Sequence, residues 1–357
     1  LASSMFNLVA IGGGVAVYLL APSSRTAVMT WAVFTVVGGI AQLVIQIPPL
    51  WRSGYRPRLL PDLRLRDPGT RRIAMLMAPA TLGVAAVQVN VVVNSSFASL
   101  ISDGALSWLS YAFRLMQLPI GVFGVAVGIT TLTHLSRDAA RGDLDSLGLT
   151  LRRGLKMVLF LTVPSTVGLA LLGLPIIRLI YQHGRFSPHA TLETARALSG
   201  YAVGLCAYAA IKVVAPAFYA IGRPRFPVVA SVAAVAANLF WNILTFRRFG
   251  HVGLALGTSL AALVNFSILA VAFHRRIHRL FTRDLVVAVL KIVAAAAIMA
   301  AAIWAVSSRV ELLPGAGVTI FAVKAFVPIV VGAAVYFGAA RAFGLDEARS
   351  LVSRFGL

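Results

Sequence analysis

The chain has few acidic residues and a single cysteine. Eleven Asp and Glu residues accompany 32 Lys and Arg residues in 357 positions, and Cys206 has no second thiol with which to form a disulfide. The nucleotide-binding pattern GxxxxGK[ST], the zinc-protease pattern HExxH and the hydrolase pattern GxSxG do not occur. These absences exclude a disulfide framework and argue against ATP-driven or hydrolytic chemistry.

Charge is scarce within long apolar segments. Hydrophobic residues make up 59% of the chain, charged residues only 12%, and the mean hydropathy is +0.88, which is typical of a polytopic membrane protein. Because about 20 apolar residues span a bilayer, the sequence predicts an all-α fold with ten transmembrane helices. We place them at Met5 to Leu20, Ala27 to Leu50, Ile73 to Ile101, Ala105 to Leu132, Leu155 to Leu172, Ala195 to Pro216, Val228 to Phe246, Leu254 to Phe273, Leu285 to Val306 and Val318 to Ala340.

All eleven carboxylates fall in predicted loops or at helix ends. The proton relays of pumps and transporters use Asp or Glu within the membrane. This chain cannot supply such a relay from its own residues.

The net charge of +21 follows the predicted membrane topology, which argues against a nucleic-acid partner. If both ends are cytoplasmic, 21 basic residues lie in inner loops and tails, seven lie outside, and four fall within helices. An excess of Lys and Arg in cytoplasmic loops orients membrane proteins. We therefore expect both ends of this chain in the cytoplasm.

A weak internal repeat predicts the domain organisation. Phe6-Asn7-Leu8 in the first helix resembles Ala237-Asn238-Leu239 in the seventh, and each is followed by a glycine-containing helix with a basic end. We expect the last two helices of an N-terminal lobe at 1–50, a basic cytoplasmic linker at 51–72, a six-helix C-terminal lobe at 73–284, and two extra helices with a cytoplasmic tail at 285–357. This organisation implies a parent of fourteen helices, with four of them upstream of Leu1.

Arg114 lies in the middle of Ala105 to Leu132, a span without an acidic residue. An arginine at mid-membrane costs roughly 3 to more than 10 kcal/mol and normally faces a water-filled cavity or a partner. Its planar guanidinium suits phosphate oxygens, and Gln117 shares its helix face. The alternative is a structural role, in which Arg114 caps backbone carbonyls near Pro119.

Two sets of amide side chains form further candidates. Asn90 and Asn94 share one face of the third helix, where either substrate contact or interhelix hydrogen bonding explains them. Asn238 and Asn242 repeat the same spacing on the seventh helix. With Thr258 on the eighth, they offer oxygens of the kind that hard cations prefer.

Several segments resemble the MurJ (MviN) lipid II flippase family, in order along nearly the whole chain. They are Gly38 to Pro48 (GGIAQLVIQIP), Pro79 to Asn94 (PATLGVAAVQVNVVVN), Gly104 to Gly124 (including YAFRLMQLPIGVFG), Tyr181 to Phe186 (YQHGRF) and Lys212 to Ala220 (KVVAPAFYA). The resemblance implies a fourteen-helix, two-lobe flippase in the bacterial cytoplasmic membrane. It also implies the substrate lipid II, which alternating access moves to the outer leaflet for cell-wall synthesis, and the cell-wall synthesis machinery as partner.

The resemblance assigns roles to particular residues. Arg114 matches a cavity arginine that binds pyrophosphate, and we add Gln117, Asn90 and Asn94 as substrate-binding candidates. A sodium site is implied between the third, seventh and eighth helices, at Asn238, Asn242, Leu254 and Thr258, although Asn242 replaces a carboxylate there. We expect neither enzymatic activity nor a cofactor other than this ion.

Two other functions stay open from the sequence. The first is export of another polyprenyl-linked glycan or of a cationic drug, although a drug exporter is expected to carry intramembrane acids. The second is a non-transporting membrane scaffold in which Arg114 is structural.

Overall fold

The structure is a computed structural model that describes residues 2–20, 23–54, 68–71, 88, 90–277, 280–315 and 317–349. Every regular element in these ranges is a helix, which confirms the predicted all-α class. The long elements are α1 (Ala2–Leu20), α2 (Ser24–Val44), α3 (Ile47–Arg52), α4 (residues 90–99), α5 (Ala105–Pro119), a π-helix (Ile120–Val125), α6 (Ala126–Ala140), α7 (Leu144–Tyr181), α8 (Pro188–Ala220), α9 (Arg225–Arg276), α10 (Arg283–Val310) and α11 (Val318–Ala342).

Eight segments of the described chain are long and apolar enough to cross a membrane. Two differences explain why the sequence predicts ten. Most of the predicted third helix lies outside the described residues, apart from residue 88 and α4. The predicted seventh and eighth helices are both present, as the two halves of α9. Gly250 separates them with a non-helical backbone (φ 55°, ψ −141°) that suits a residue without a Cβ, and together they form one of the eight segments.

The two halves of α9 form an antiparallel hairpin around Gly250. Near the bend, the Trp241 indole Nε1 donates to the Gly253 carbonyl oxygen at 3.0 Å. Farther from the bend, the Asn265 amide donates to Ser231 Oγ at 3.4 Å. These pairs place the polar residues of the predicted seventh and eighth helices opposite each other.

The chain divides into two compact units, residues 1–71 and residues 72–357. The first unit contains a hairpin of α1 and α2. Glycines allow the close approach, since a Cβ on Gly38 would lie 3.0 Å from the Phe6 ring. A capping box of Ser23 and Thr26 starts α2. The assignment of this hairpin to an N-terminal lobe stays a prediction.

The second unit is built around α8. This helix packs against α5, α6, α7 and α9. Small residues permit the contact with α9, because a Cβ on Gly204 would lie 2.6 Å from Ser259 Cα. Ser259 Oγ then donates to the Gly200 carbonyl oxygen at 2.7 Å and accepts from the Gly204 N–H at 3.0 Å. This buried hydroxyl fixes the register of the two helices.

Helices α10 and α11 pack against α7. The buried Tyr336 hydroxyl of α11 donates to the Phe160 carbonyl oxygen of α7 at 2.7 Å. Lys156 of α7 forms a salt bridge of 2.6 Å with Asp284 at the start of α10. The two helices are thus held by polar contacts as well as by their apolar faces.

Candidate functional site

Arg114 and Gln117 project from the exposed face of α5. The opposite face carries Ala112, Leu115 and Met116, which are buried at 0%, 4% and 0% exposure, whereas Arg114 and Gln117 are both exposed. The helical period of 3.6 residues produces this separation. The predicted pair therefore shares a face that points away from the core of the second unit.

The Arg114 guanidinium is not used in protein structure within the described ranges. No carboxylate there lies within salt-bridge distance, and the guanidinium donates no hydrogen bond to a backbone carbonyl. The chain next to Pro119 instead adopts the π-helix Ile120–Val125. Within the described part of the chain the capping role that the sequence allowed is therefore not observed, and none of the five guanidinium donors of Arg114 has a hydrogen-bond acceptor there.

An aromatic group stands beside Arg114. Tyr111 is one turn before it on α5, and its ring lies 4.8 Å from the ring of Tyr181 and 5.5 Å from that of Phe186. Tyr181 lies near enough to Arg114 for the guanidinium charge to act on its phenol group, without a hydrogen bond between them in the described structure. Both partner rings belong to the segment YQHGRF, so the structure brings two segments of the family resemblance together around the arginine.

A second polar site lies between α4 and the α9 hairpin. The Asn242 side-chain Nδ2 donates to Asn94 Oδ1 at 2.6 Å and to Asn238 Oδ1 at 3.0 Å. The Asn94 Nδ2 donates to Thr258 Oγ1 at 3.3 Å, and Thr258 Oγ1 donates to the Leu254 carbonyl oxygen at 3.1 Å. We call Asn94, Asn238, Asn242, Leu254 and Thr258 the asparagine cluster.

The asparagine cluster contains every residue of the predicted sodium site. Its donors already occupy the oxygens that would bind a cation, because Asn94 Oδ1, Asn238 Oδ1 and the Leu254 carbonyl each accept a hydrogen bond. The cluster is neutral. Among its own side chains, Asn242 Oδ1 is a buried acceptor without a donor and Asn238 Nδ2 is a buried donor without an acceptor in the described structure. These residues fit a hydrogen-bonded cluster and, as they are arranged, do not fit a bound sodium ion.

The structure separates the four predicted substrate ligands. Asn94 joins the asparagine cluster, whereas Arg114 and Gln117 lie on the exposed face of α5. Asn90 lies one turn from Asn94 and is half-buried. Its side-chain oxygen Oδ1 is buried and accepts no hydrogen bond in the described structure. Substrate contact by any of the four stays a prediction.

The sequence analysis assigned no role to a charged group at the bend of the α9 hairpin, next to Gly250. Glu193 accepts from Arg196 at 2.9 Å and pairs with the largely buried His251 at 3.4 Å. The Trp108 ring packs edge-on against His251, with centroids 5.2 Å apart. Glu193 is the sole carboxylate between Asp145 and Asp284 in the sequence. This isolation is the sequence feature from which its importance could have been predicted.

The fold is that of a multi-pass membrane transporter built from helix hairpins. The family described as "Lipid II flippase MurJ" matches residues 1–325. A solved structure of the lipid II flippase MurJ in an inward closed conformation is 25% identical, covers 97% of this chain and 67% of its own, and superposes with a TM-score of 0.78.

Two curated relatives agree with this match. The probable lipid II flippase MurJ of Vibrio cholerae is 31% identical over 84% of this chain and 59% of its own length. The corresponding protein of Rhizobium tropici is 32% identical over 90% of this chain and 60% of its own length. The chain belongs to the MurJ lipid II flippase family, and it spans about 60% of the length of these relatives.

Proposed function

We propose that the chain acts in moving lipid II, the lipid-linked peptidoglycan precursor, from the inner to the outer leaflet of the bacterial cytoplasmic membrane. Its relatives carry the name lipid II flippase. One observation links the proposal to a particular residue. Arg114 is exposed in a membrane-spanning helix and forms no hydrogen bond or salt bridge within the described ranges. A cation in that position needs an anion, and the pyrophosphate of lipid II is one.

Arg114 is the residue that we assign to the pyrophosphate. A guanidinium can donate two parallel hydrogen bonds to phosphate oxygens, and charge-assisted bonds of this kind are about twice as strong as neutral ones. Gln117, one turn away on the same face, supplies a neutral donor beside it. Tyr111 and Tyr181 flank the arginine with amphipathic rings.

An anionic substrate also provides a driving force. The inside-negative membrane potential pushes each negative charge outward with about 2.3 kcal/mol per 100 mV. The chain has no intramembrane carboxylate for proton coupling. We therefore propose that the membrane potential acting on the pyrophosphate drives export, with the cytoplasmic orientation of both chain ends that the basic loops predict.

The alternatives make different demands on Arg114. Export of another polyprenyl-linked glycan retains the pyrophosphate and hence the arginine, whereas a scaffold requires no anion at all. Interaction with the cell-wall synthesis machinery is part of the proposal, since exported lipid II is the substrate of that machinery.

The test is rescue of a bacterium depleted of its own lipid II flippase. The full-length protein that contains this chain is compared with its Arg114→Ala, Arg114→Lys and Arg309→Ala variants, and lipid II exposure on the outer leaflet is measured in cells. Arg309, near the end of α10, is the matched control. We expect loss of exposed lipid II with Arg114→Ala, partial function with Arg114→Lys and full function with Arg309→Ala. Equal rescue by all variants would remove the pyrophosphate role, and failure of the parent protein would point to another substrate or to a scaffold.

A further inference from the structure

The helices that carry the asparagine cluster carry a second group of polar side chains, farther from the bend of α9. Ser231 lies seven residues before Asn238 on the first half of α9, and Asn265 lies seven residues after Thr258 on the second half. Because the halves are antiparallel, both steps run in the same direction, by roughly 10 Å at 1.5 Å per residue. Asn90 follows the same direction, one turn before Asn94 on α4.

This second group of polar residues lines a cavity of about 100 Å³ between α4, α8 and α9. Its polar lining residues are Asn90, Tyr208, Ser231 and Asn265, and Ala262 forms part of the apolar wall. We call this space the polar chamber. It is lined by four of the few polar side chains in an otherwise apolar helix interface.

The polar chamber has acceptors that lack donors. The side-chain oxygens of Asn90 and Asn265 are both buried, and neither accepts a hydrogen bond within the described structure. The Asn265 Nδ2 is already engaged with Ser231 Oγ at 3.4 Å. A native protein seldom leaves a buried amide oxygen unpaired, and the chamber has room for a small hydrogen-bond donor that would satisfy both.

Water fits this requirement better than a cation does. The chamber is large enough for a small number of waters, each of which can donate two hydrogen bonds. A cation would lack a carboxylate partner, because no acidic residue lies within a predicted span.

We propose that the polar chamber holds a cluster of ordered waters bound to Asn90 and Asn265. Together with the asparagine cluster, these waters form a polar seam between α4 and the α9 hairpin. The waters offer replacement partners for Asn94 when α4 moves against α9. This last consequence depends on the proposed transport function, whereas the hydration itself does not.

The test is hydroxyl-radical footprinting of the full-length protein in lipid nanodiscs, in which X-rays generate radicals from bound water. Tyr208 reports on the polar chamber. Tyr201, two turns earlier on α8 and 6% exposed, packs against Phe113 and is the matched dry control. We expect Tyr208 to be oxidised faster than Tyr201, and equal slow oxidation of the two rings would overturn the proposal.

Two variants that fill the polar chamber, Asn265→Leu and Ala262→Leu, identify the source of the radicals. In each, oxidation of Tyr208 should fall to the slow rate of Tyr201. A Tyr201 ring (6% exposed) that stays slow reports a folded protein, and the exposed Tyr219 (51%) reports an equal radical dose. If either folded variant retains fast oxidation of Tyr208, the radicals come from outside the chamber and the proposal is wrong. The readout does not involve transport, so it fails or succeeds independently of the proposed function.

Discussion

The Asn242 side-chain amide of α9 donates a 2.6 Å hydrogen bond to the Asn94 side-chain oxygen of α4. The same nitrogen donates to Asn238 Oδ1 at 3.0 Å. An N–H group thus occupies the position between two oxygens that a metal ion would take, and it ties α4 to the first half of α9 without any charge.

Replacement of this amide by a carboxylate should create a sodium requirement. In an Asn242→Asp variant, the new carboxylate would face Asn94 Oδ1 and Asn238 Oδ1 without a hydrogen atom between them. A cation relieves that repulsion and gains an anionic ligand. We expect the thermal unfolding midpoint of the variant to be higher in NaCl than in KCl at equal ionic strength.

The wild-type protein is the control for that experiment and should unfold at the same temperature in both salts. Selective stabilisation of the wild type by sodium would show that the asparagine cluster rearranges to bind the ion. The sodium site implied by the family resemblance would then be correct despite the neutral ligands.

Loss of the Asn94 side chain should loosen the contact between α4 and α9. Asn94→Leu removes the hydrogen bonds to Asn242 and Thr258 and leaves buried polar groups unpaired, which costs about 1–3 kcal/mol. The comparison is Ser96→Ala on the same helix, where the exposed hydroxyl donates to the Val92 carbonyl oxygen of its own helix and has no other partner among the described residues. Denaturant unfolding in detergent should show a clear loss for the first variant and little change for the second.

The close approach of α8 and α9 depends on Gly204. A methyl group there would lie 2.6 Å from Ser259 Cα, so Gly204→Ala must separate the helices and disturb the hydrogen bonds of the Ser259 hydroxyl. We expect a lower unfolding midpoint. Gly338→Ala on α11 meets no atom within 4 Å and should stabilise by up to about 1 kcal/mol through helix propensity. Equal effects of the two substitutions would contradict the packing described for α8.

The helices could be predicted because apolar length alone defines a membrane span. The sequence also predicts that Arg114 shares a helix face with Gln117, and that Asn238 shares one with Asn242. Both follow from the helical period of 3.6 residues. Only the family resemblance implied that the third helix lies beside the seventh and eighth. Spacing could not predict that Asn94 of α4 pairs with Asn242 of α9, because the two are 148 positions apart. For that reason the sequence placed Asn94 with the substrate ligands, whereas the structure places it among the residues of the predicted sodium site.

The most direct test of the pyrophosphate role is lipid II binding to the purified full-length protein and to its Arg114→Ala and Gln117→Ala variants. A charged hydrogen bond to phosphate is worth about 1.5–3 kcal/mol, so Arg114→Ala should weaken binding roughly ten- to hundredfold, with a smaller loss for Gln117→Ala. A lipid-linked sugar without phosphate should bind the wild type and Arg114→Ala equally. Unchanged lipid II affinity in Arg114→Ala would contradict the assignment of this arginine to the pyrophosphate.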